Sequence, residues 1–166
     1  METSEVSKTK EPLKVGGWLI IVAIGVVLSP LRLIHLLGTT YPPIFTDGTW
    51  EAITTKTSEA YSPIWGPFLL GEIFINVILV LIGIYLAYLF FTKKAALPKW
   101  YFGVALFSAV FILIDAYIVT LVLPDMEVFD SETLKEFGRS LVSLLVWSPY
   151  LLFSQRSKDT FVNVRT

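Results

Sequence analysis

Apolar residues along the chain gather into four runs, Val15–Leu37, Phe68–Phe91, Tyr101–Leu123 and Leu141–Phe153, separated by stretches rich in proline, glycine and charge. As helices rising ~1.5 Å per residue, the first three are each long enough to cross a hydrocarbon core of ~30 Å. The fourth is shorter, and Ser140 and Ser154 extend it to about 140–154. The pattern predicts an all-α, integral membrane four-helix bundle occupying residues 15–154. Residues 1–14 are polar and of mixed charge, and are expected to be a disordered N-terminal segment. Residues 155–166 form a polar tail, in which Arg156 and Lys158 are expected to meet anionic headgroups while Phe161 and Val162 dip into the interface.

The connections have their own signals. Between the first two runs, Tyr41-Pro42-Pro43 reads as the start of a loop and Ser62-Pro63 and Gly66-Pro67 as its end. Between them a short helix is expected to begin near Asp47, capped by its carboxylate, with Trp50 and Ile53 on one face lying against the outer leaflet. The segment Pro124–Gly138 predicts a short turn capped by Asp130 or Ser131, with Glu132, Lys135 and Glu136 solvated. Pro30 and Pro149 fall inside runs one and four, where each removes a backbone donor and favours a kink. Gly83-x-x-x-Ala87 and Ala105-x-x-x-Ala109 have the spacing of close helix contacts, expected first within the chain.

Charge orients the spans. Lys8, Lys10 and Lys14 precede run one, Lys93, Lys94 and Lys99 lie between runs two and three, and Arg156, Lys158 and Arg165 follow run four. The other two loops hold only Lys56 and Lys135 away from span ends. The positive-inside rule therefore places both termini in the cytoplasm and the segments Gly38–Pro67 and Pro124–Gly138 outside. Trp18 and Trp100 mark the inner interface; Tyr41, Trp50, Tyr61 and Trp65 mark the outer one. Run one is too long for a signal-peptide core and no small-x-small cleavage site follows, so it reads as a retained anchor.

Composition then narrows the chemistry. With 54% hydrophobic and 16% charged residues, the chain is too apolar for an ordinary soluble domain. Connections of about thirty residues or fewer leave no room for a catalytic domain outside the membrane. Cysteine is absent, which removes thiol catalysis, iron–sulfur ligation and zinc-thiolate sites. His35 is the only histidine, so no bis-histidine haem forms within one chain and no metal ligand set is legible around it. No phosphate loop, zinc-protease motif, nucleophile elbow or calcium-binding loop occurs. A non-enzymatic protein without cofactor or metal is expected. The basic clusters are too short for nucleic acid.

Candidate function rests on polar side chains within or beside the spans: Arg32, Glu72, Asn76, Asp115 and Arg139. A charge in hydrocarbon costs about 2.5–3.5 kcal/mol, so each requires a partner or water. At ~1.5 Å per residue, Arg32 and Asp115 lie roughly 24 and 22 Å from the inner face, Glu72 lies ~6 Å below the outer edge, and Arg139 opens run four from that side. All four spans thus deliver one charge to the outer third of the bilayer. Arg32–Glu72 and Arg139–Asp115 pairs, or one shared network, fit the spacing equally, and Asn76 lies one turn deeper than Glu72. Three readings follow. The charges neutralise one another and fix packing; or they line an outward-facing pocket for a small ligand, lipid headgroup or ion; or they relay protons, although the inner halves of the spans hold no titratable groups to continue a path.

Several short stretches, in order, resemble one family. They are Gly16-Gly17-Trp18-Leu19 and Ser29-Pro30-Leu31-Arg32; then Ala60-Tyr61, Gly71-Glu72, Asn76, Phe90-Phe91, Lys93-Lys94 and Leu97-Pro98; then Trp147-Ser148-Pro149-Tyr150 and Ser154-Gln155-Arg156-Ser157-Lys158-Asp159-Thr160-Phe161-Val162. Over residues 15–162 the chain resembles small bacterial inner-membrane proteins grouped as domain of unknown function 2569. The resemblance implies four membrane helices, cytoplasmic termini and a bacterial inner (plasma) membrane, and no established activity. Ser157 departs from it, standing where an apolar residue is expected. The expected function is an accessory or binding protein with membrane lipids, a larger membrane-protein complex and a small ligand or lipid headgroup as partners. The alternative is a small oligomeric transporter with Glu72 or Asp115 as the coupling acid.

Overall fold

The computed structural model describes residues 12–122 and 131–162. The disorder expected up to residue 11, the end of run three at Leu123, the Asp130 cap and Arg165 lie outside the described residues. Within them the chain is all-α: α1 (Leu19–Thr46), α2 (Thr49–Thr54), α3 (Trp65–Phe91), α4 (Leu97–Val122), α5 (Ser131–Val142), α6 (Ser148–Phe153) and α7 (Gln155–Thr160). Three of these, α1, α3 and α4, are long and apolar enough to cross a membrane. Their outward sides are as apolar as their packed sides, with Phe74, Leu81 and Phe91 each more than half exposed. Such helices suit a lipid solvent. A π-helical stretch, Ser143–Trp147, joins α5 to α6, so helical backbone runs unbroken from Ser131 to Phe153.

α1 packs along α3, while α4 packs along α5, the π-helical stretch and α6. The first seam closes where Gly83 faces Pro30: a Cβ at residue 83 would lie 3.0 Å from Pro30 Cβ. In the second, Ala105, Ala109 and Ala116 are buried, and Ser140 Oγ donates to the Ala105 carbonyl at 3.4 Å. Gly83 and the Ala105/Ala109 pair thus serve contacts within the chain, as small residues do wherever helix backbones approach.

Three element limits differ from those read in the sequence. α1 runs through Pro42 and Pro43 to Thr46 instead of ending at Leu37. The prolines forfeit backbone donors, but Thr46 Oγ1 reaches the Pro42 and Pro43 carbonyls and Tyr41, one residue earlier, is anchored in the protein interior. α3 begins at Trp65, with Pro67 in its first turn, where amide donors have no helical acceptor anyway. α5 is a full helix of 12 residues where a turn was expected. The cap position of α2 is held by Gly48 at φ 86° in place of Asp47, whose Oδ1 accepts from the Thr49 amide at 2.9 Å; hydrogen bonds from the Thr49 side chain and amide hold its carboxyl below the ordinary aspartate range.

At the end bearing Lys93 the chain is clasped. α3 closes with the amides of Lys93 and Lys94 bonded back to the Phe90 and Leu89 carbonyls, the six-to-one and five-to-two pattern that ends many helices. The left-handed position of that motif, usually glycine, is held by Lys93 at φ 53°. Both outlying segments converge on it. The Lys93 carbonyl accepts the Val162 amide at 3.1 Å, and Lys93 Nζ reaches the Pro12 carbonyl at 3.5 Å. The Leu13 amide donates to the Asp159 carbonyl at 2.9 Å, so the two ends of the described chain touch. Phe161 does not dip into an interface: it is 4% exposed, with its ring 5.3 Å from that of Phe90. It belongs to the core formed by Leu19, Val22, Val26, Leu86, Leu89, Leu97 and Leu151. Ser157 is fully buried, and its hydroxyl is satisfied by the Leu151 carbonyl at 2.6 Å. Arg156 lies over Gly16 and Gly17, where a Cβ on Gly16 would come within 2.5 Å of its Nη2.

Candidate functional site: a polar cluster at the far end of the bundle

At the end opposite the clasp, four helices contribute polar side chains. α3 places Glu72 and Asn76 one turn apart on the face turned toward α1. α1 answers with Tyr41, 5% exposed, whose hydroxyl donates to Glu72 Oε1 at 2.5 Å. Asn76, 7% exposed, donates through Nδ2 to Tyr41 Oη at 3.2 Å and to the Glu72 carbonyl at 3.0 Å. The amide thus bridges the two helices, and each polar atom of this trio relieves the burial of another.

Arg32 forms an ion pair with Glu136 of α5, linking α1 to the helix that packs on α4. The pair is 48% exposed on the arginine and 29% on the glutamate. Asp115 of α4 lies within electrostatic reach of both Glu72 and Glu136. One of its carboxylate oxygens, Oδ1, is buried without a hydrogen-bond partner. Asp115 and Glu72 also share the wall of a cavity of about 310 Å³ between α3 and α4, otherwise lined by Phe68, Ile75, Phe107, Val110, Phe111, Ile114 and Ile118.

Of the five residues expected at this site, Arg32, Glu72, Asn76 and Asp115 lie at one end of the bundle, and of the two arrangements that fitted the spacing the separate Arg32–Glu72 and Arg139–Asp115 pairs are not formed. Arg32 takes Glu136 in place of Glu72, and Glu72 takes Tyr41. Arg139 is exposed and forms no ion pair among the described residues, so the anticipated Arg139–Asp115 pair is not made. Three carboxylates therefore share the cluster with a single paired arginine, and its balance is acidic.

Two members were not foreseen. Tyr41 was expected in the outer aromatic belt, and Glu136 on a solvated turn. Glu136 was legible in one respect: Glu132, Glu136 and Ser140 repeat every four residues, one face of a helix that reaches the buried Ser140. For Tyr41 the two following prolines masked the helix that carries it. His35, exposed near Arg32, stands apart from the cluster, and among the described residues no group of His, Asp and Glu side chains is arranged to hold a metal ion.

Searches among curated proteins and solved structures returned no match. A family model, by contrast, matches residues 12–162, from the segment that meets Lys93 to the end of the clasp. The protein belongs to the family described as proteins of unknown function, DUF2569.

Proposed function

We propose that the chain is a non-enzymatic accessory or binding protein of the bacterial inner membrane, with a ligand pocket at the Glu72–Asp115 cavity facing outward. On this reading it crosses the bilayer four times and both termini are cytoplasmic. The hydrogen bond between Leu13 and Asp159 supports an even number of crossings, because it brings the two ends of the described chain to one end of the bundle. With α1, α3 and α4 as three crossings, the continuous helical run Ser131–Phe153 supplies the fourth. The surplus of Lys93, Lys94, Lys99, Arg156 and Lys158 at the clasped end supports placing that end inside.

The observation that carries the pocket is the unpartnered Asp115 Oδ1 beside a cavity that Glu72 also lines. A buried carboxylate oxygen without a donor is costly, and a ligand bearing an N–H, O–H or cationic group would relieve it. Inward of this point the α3–α4 seam is walled by Leu79, Ile82, Val104 and Phe107, with no ionisable side chain before Lys99. That dry stretch favours binding over the second reading, a small oligomeric transporter coupled through Glu72 or Asp115.

The test is native mass spectrometry of protein gently extracted from its own membrane. A retained small molecule that Asp115→Asn and Glu72→Gln both release supports the pocket. A stoichiometric protein partner, with no small molecule bound, would leave an accessory subunit and remove the pocket. Cation- or proton-coupled flux in proteoliposomes, abolished by the same two variants in folded protein, would replace the binding reading with the transporter.

A further inference from the structure

We propose that the half of the α3–α4 seam nearest Lys99 is a binding site for one anionic phospholipid, its acyl chain in the groove and its phosphate on the Lys99 ammonium. The groove is a cavity of about 380 Å³, lined by Leu79 and Ile82 of α3 and by Trp100, Gly103, Val104 and Phe107 of α4, with Lys99 at its mouth. That volume falls within the ~300–1,000 Å³ typical of small-molecule sites. It arises because α4 turns its packed face, Ala105 and Ala109, toward α5 and α6, leaving the side that meets α3 thinly filled. Gly103 deepens it: an added Cβ there would meet no atom within 4 Å.

Two observations at the mouth identify the occupant. The first is aromatic. Tyr85 stacks with Tyr88 at 6.2 Å and meets Trp100 edge-on at 5.2 Å, and all three rings are 40% or more exposed. Amphipathic rings clustered on exposed helix surface are the signature of the headgroup level, so the mouth opens where phosphates lie. The second is charge. Lys99 is exposed and has no ion-pair partner among the described residues, leaving an uncompensated cation beside those rings. Below the mouth every lining side chain is apolar. Cation, ring girdle and apolar groove follow the order of phosphate, glycerol backbone and acyl chain, and a transmembrane helix of a second copy would bring no anion to Lys99 at that depth. Basic side chains at helix ends hold anionic headgroups in this manner.

The test uses the purified full-length chain in detergent, exposed to equal amounts of phosphatidylglycerol, phosphatidylethanolamine and phosphatidylcholine, with retained lipids counted by native mass spectrometry. The expected result is a single retained phosphatidylglycerol. Lys99→Gln should reduce its preference over phosphatidylcholine about fivefold, the weight of one basic side chain at an anionic surface. Gly103→Leu, whose Cβ meets no atom within 4 Å and whose branches extend into the groove, should release all three lipids alike. Because Lys99 is exposed, its variant folds as the parent does and keeps the test decisive if Gly103→Leu misfolds. Retention without headgroup preference, or retention indifferent to both variants, overturns the proposal. So does a lipid-free dimer that Gly103→Leu dissociates, which would make the groove a contact between copies. Neither variant touches Asp115 or Glu72, so the outcome is independent of the pocket at the other end.

Discussion

Tyr41 holds the polar cluster together through a single oxygen that donates to Glu72 and accepts from Asn76. Replacing it with Phe keeps the ring and removes both bonds, leaving buried Asn76 and half-buried Glu72 short of one interaction each. We expect Tyr41→Phe to destabilise the protein by about 1–3 kcal/mol, the cost of unsatisfied buried polar groups. Thermal unfolding in detergent measures it, and a loss no larger than that of an exposed control such as Tyr117→Phe would show that the trio does not couple α1 to α3. Asp47 gives a pH dependence of known sign. Hydrogen bonds from the Thr49 side chain and amide keep the folded carboxyl below its unfolded value of 3.8. The contribution is therefore complete above that value and is lost as pH falls through the lower, folded one. Amide exchange at Thr49 should show protection that disappears under acid, and Asp47→Ala should make exchange there insensitive to pH beyond its intrinsic rate. Most of the cluster was legible residue by residue, because ionisable groups in apolar runs are conspicuous. Its pairing was not. Which carboxylate Arg32 meets depends on how α1 and α5 approach each other, and a linear pattern contains no such angle.

At the scale of elements, hydrophobic runs located the long helices well and their ends poorly. Proline was the main reason. Pro42-Pro43 and Gly66-Pro67 are local signals for a loop, yet the first pair lies inside α1 and Pro67 sits in the opening turn of α3. In α1 the burial of Tyr41 and the Thr46 hydroxyl outweigh the two missing donors. The π-helical stretch before Pro149 is a comparable local adjustment. The Ser143 carbonyl accepts both the amide of Ser148 and its hydroxyl, the latter at 2.9 Å. Such widened turns accommodate a residue that cannot donate. The small-residue spacings, by contrast, were read correctly as contacts within the chain. A sharp contrast follows between two glycines. Gly83→Leu should push α1 from α3 at Pro30 and cost about 1–3 kcal/mol, the range for overpacking a filled seam. Gly103→Leu should leave unfolding unchanged. Equal effects on the melting temperature would mean that the α1–α3 seam is looser than its 3.0 Å approach implies.

For the whole molecule, crossing number and orientation can be read directly because the chain contains no cysteine. A single thiol introduced as Thr57→Cys should react with a membrane-impermeant maleimide in intact cells. One introduced as Ala95→Cys should react only after permeabilisation, and the reverse order would invert the proposed topology. The clasp belongs to this scale as well, since it joins three segments far apart in the chain. Burying Phe161 against Phe90 is worth about 3–5 kcal/mol by the usual cost of truncating a buried aromatic. Phe161→Ala should therefore expose the Val162 amide to rapid exchange and open α7 to protease while the long helices stay protected. Simultaneous loss of protection everywhere would mean that the tail is required for the bundle itself.

The clasp also sets an order of events during synthesis. Lys93 is made well before the tail, so its carbonyl has no amide to meet until Val162 has been made. Throughout that interval this end of the bundle is unclosed, and Phe90 lacks the ring that later packs on it. Seating Phe161 is thus a late step in closing this end of the bundle, and α7 is expected to resist protease only in chains long enough to place that ring on Phe90.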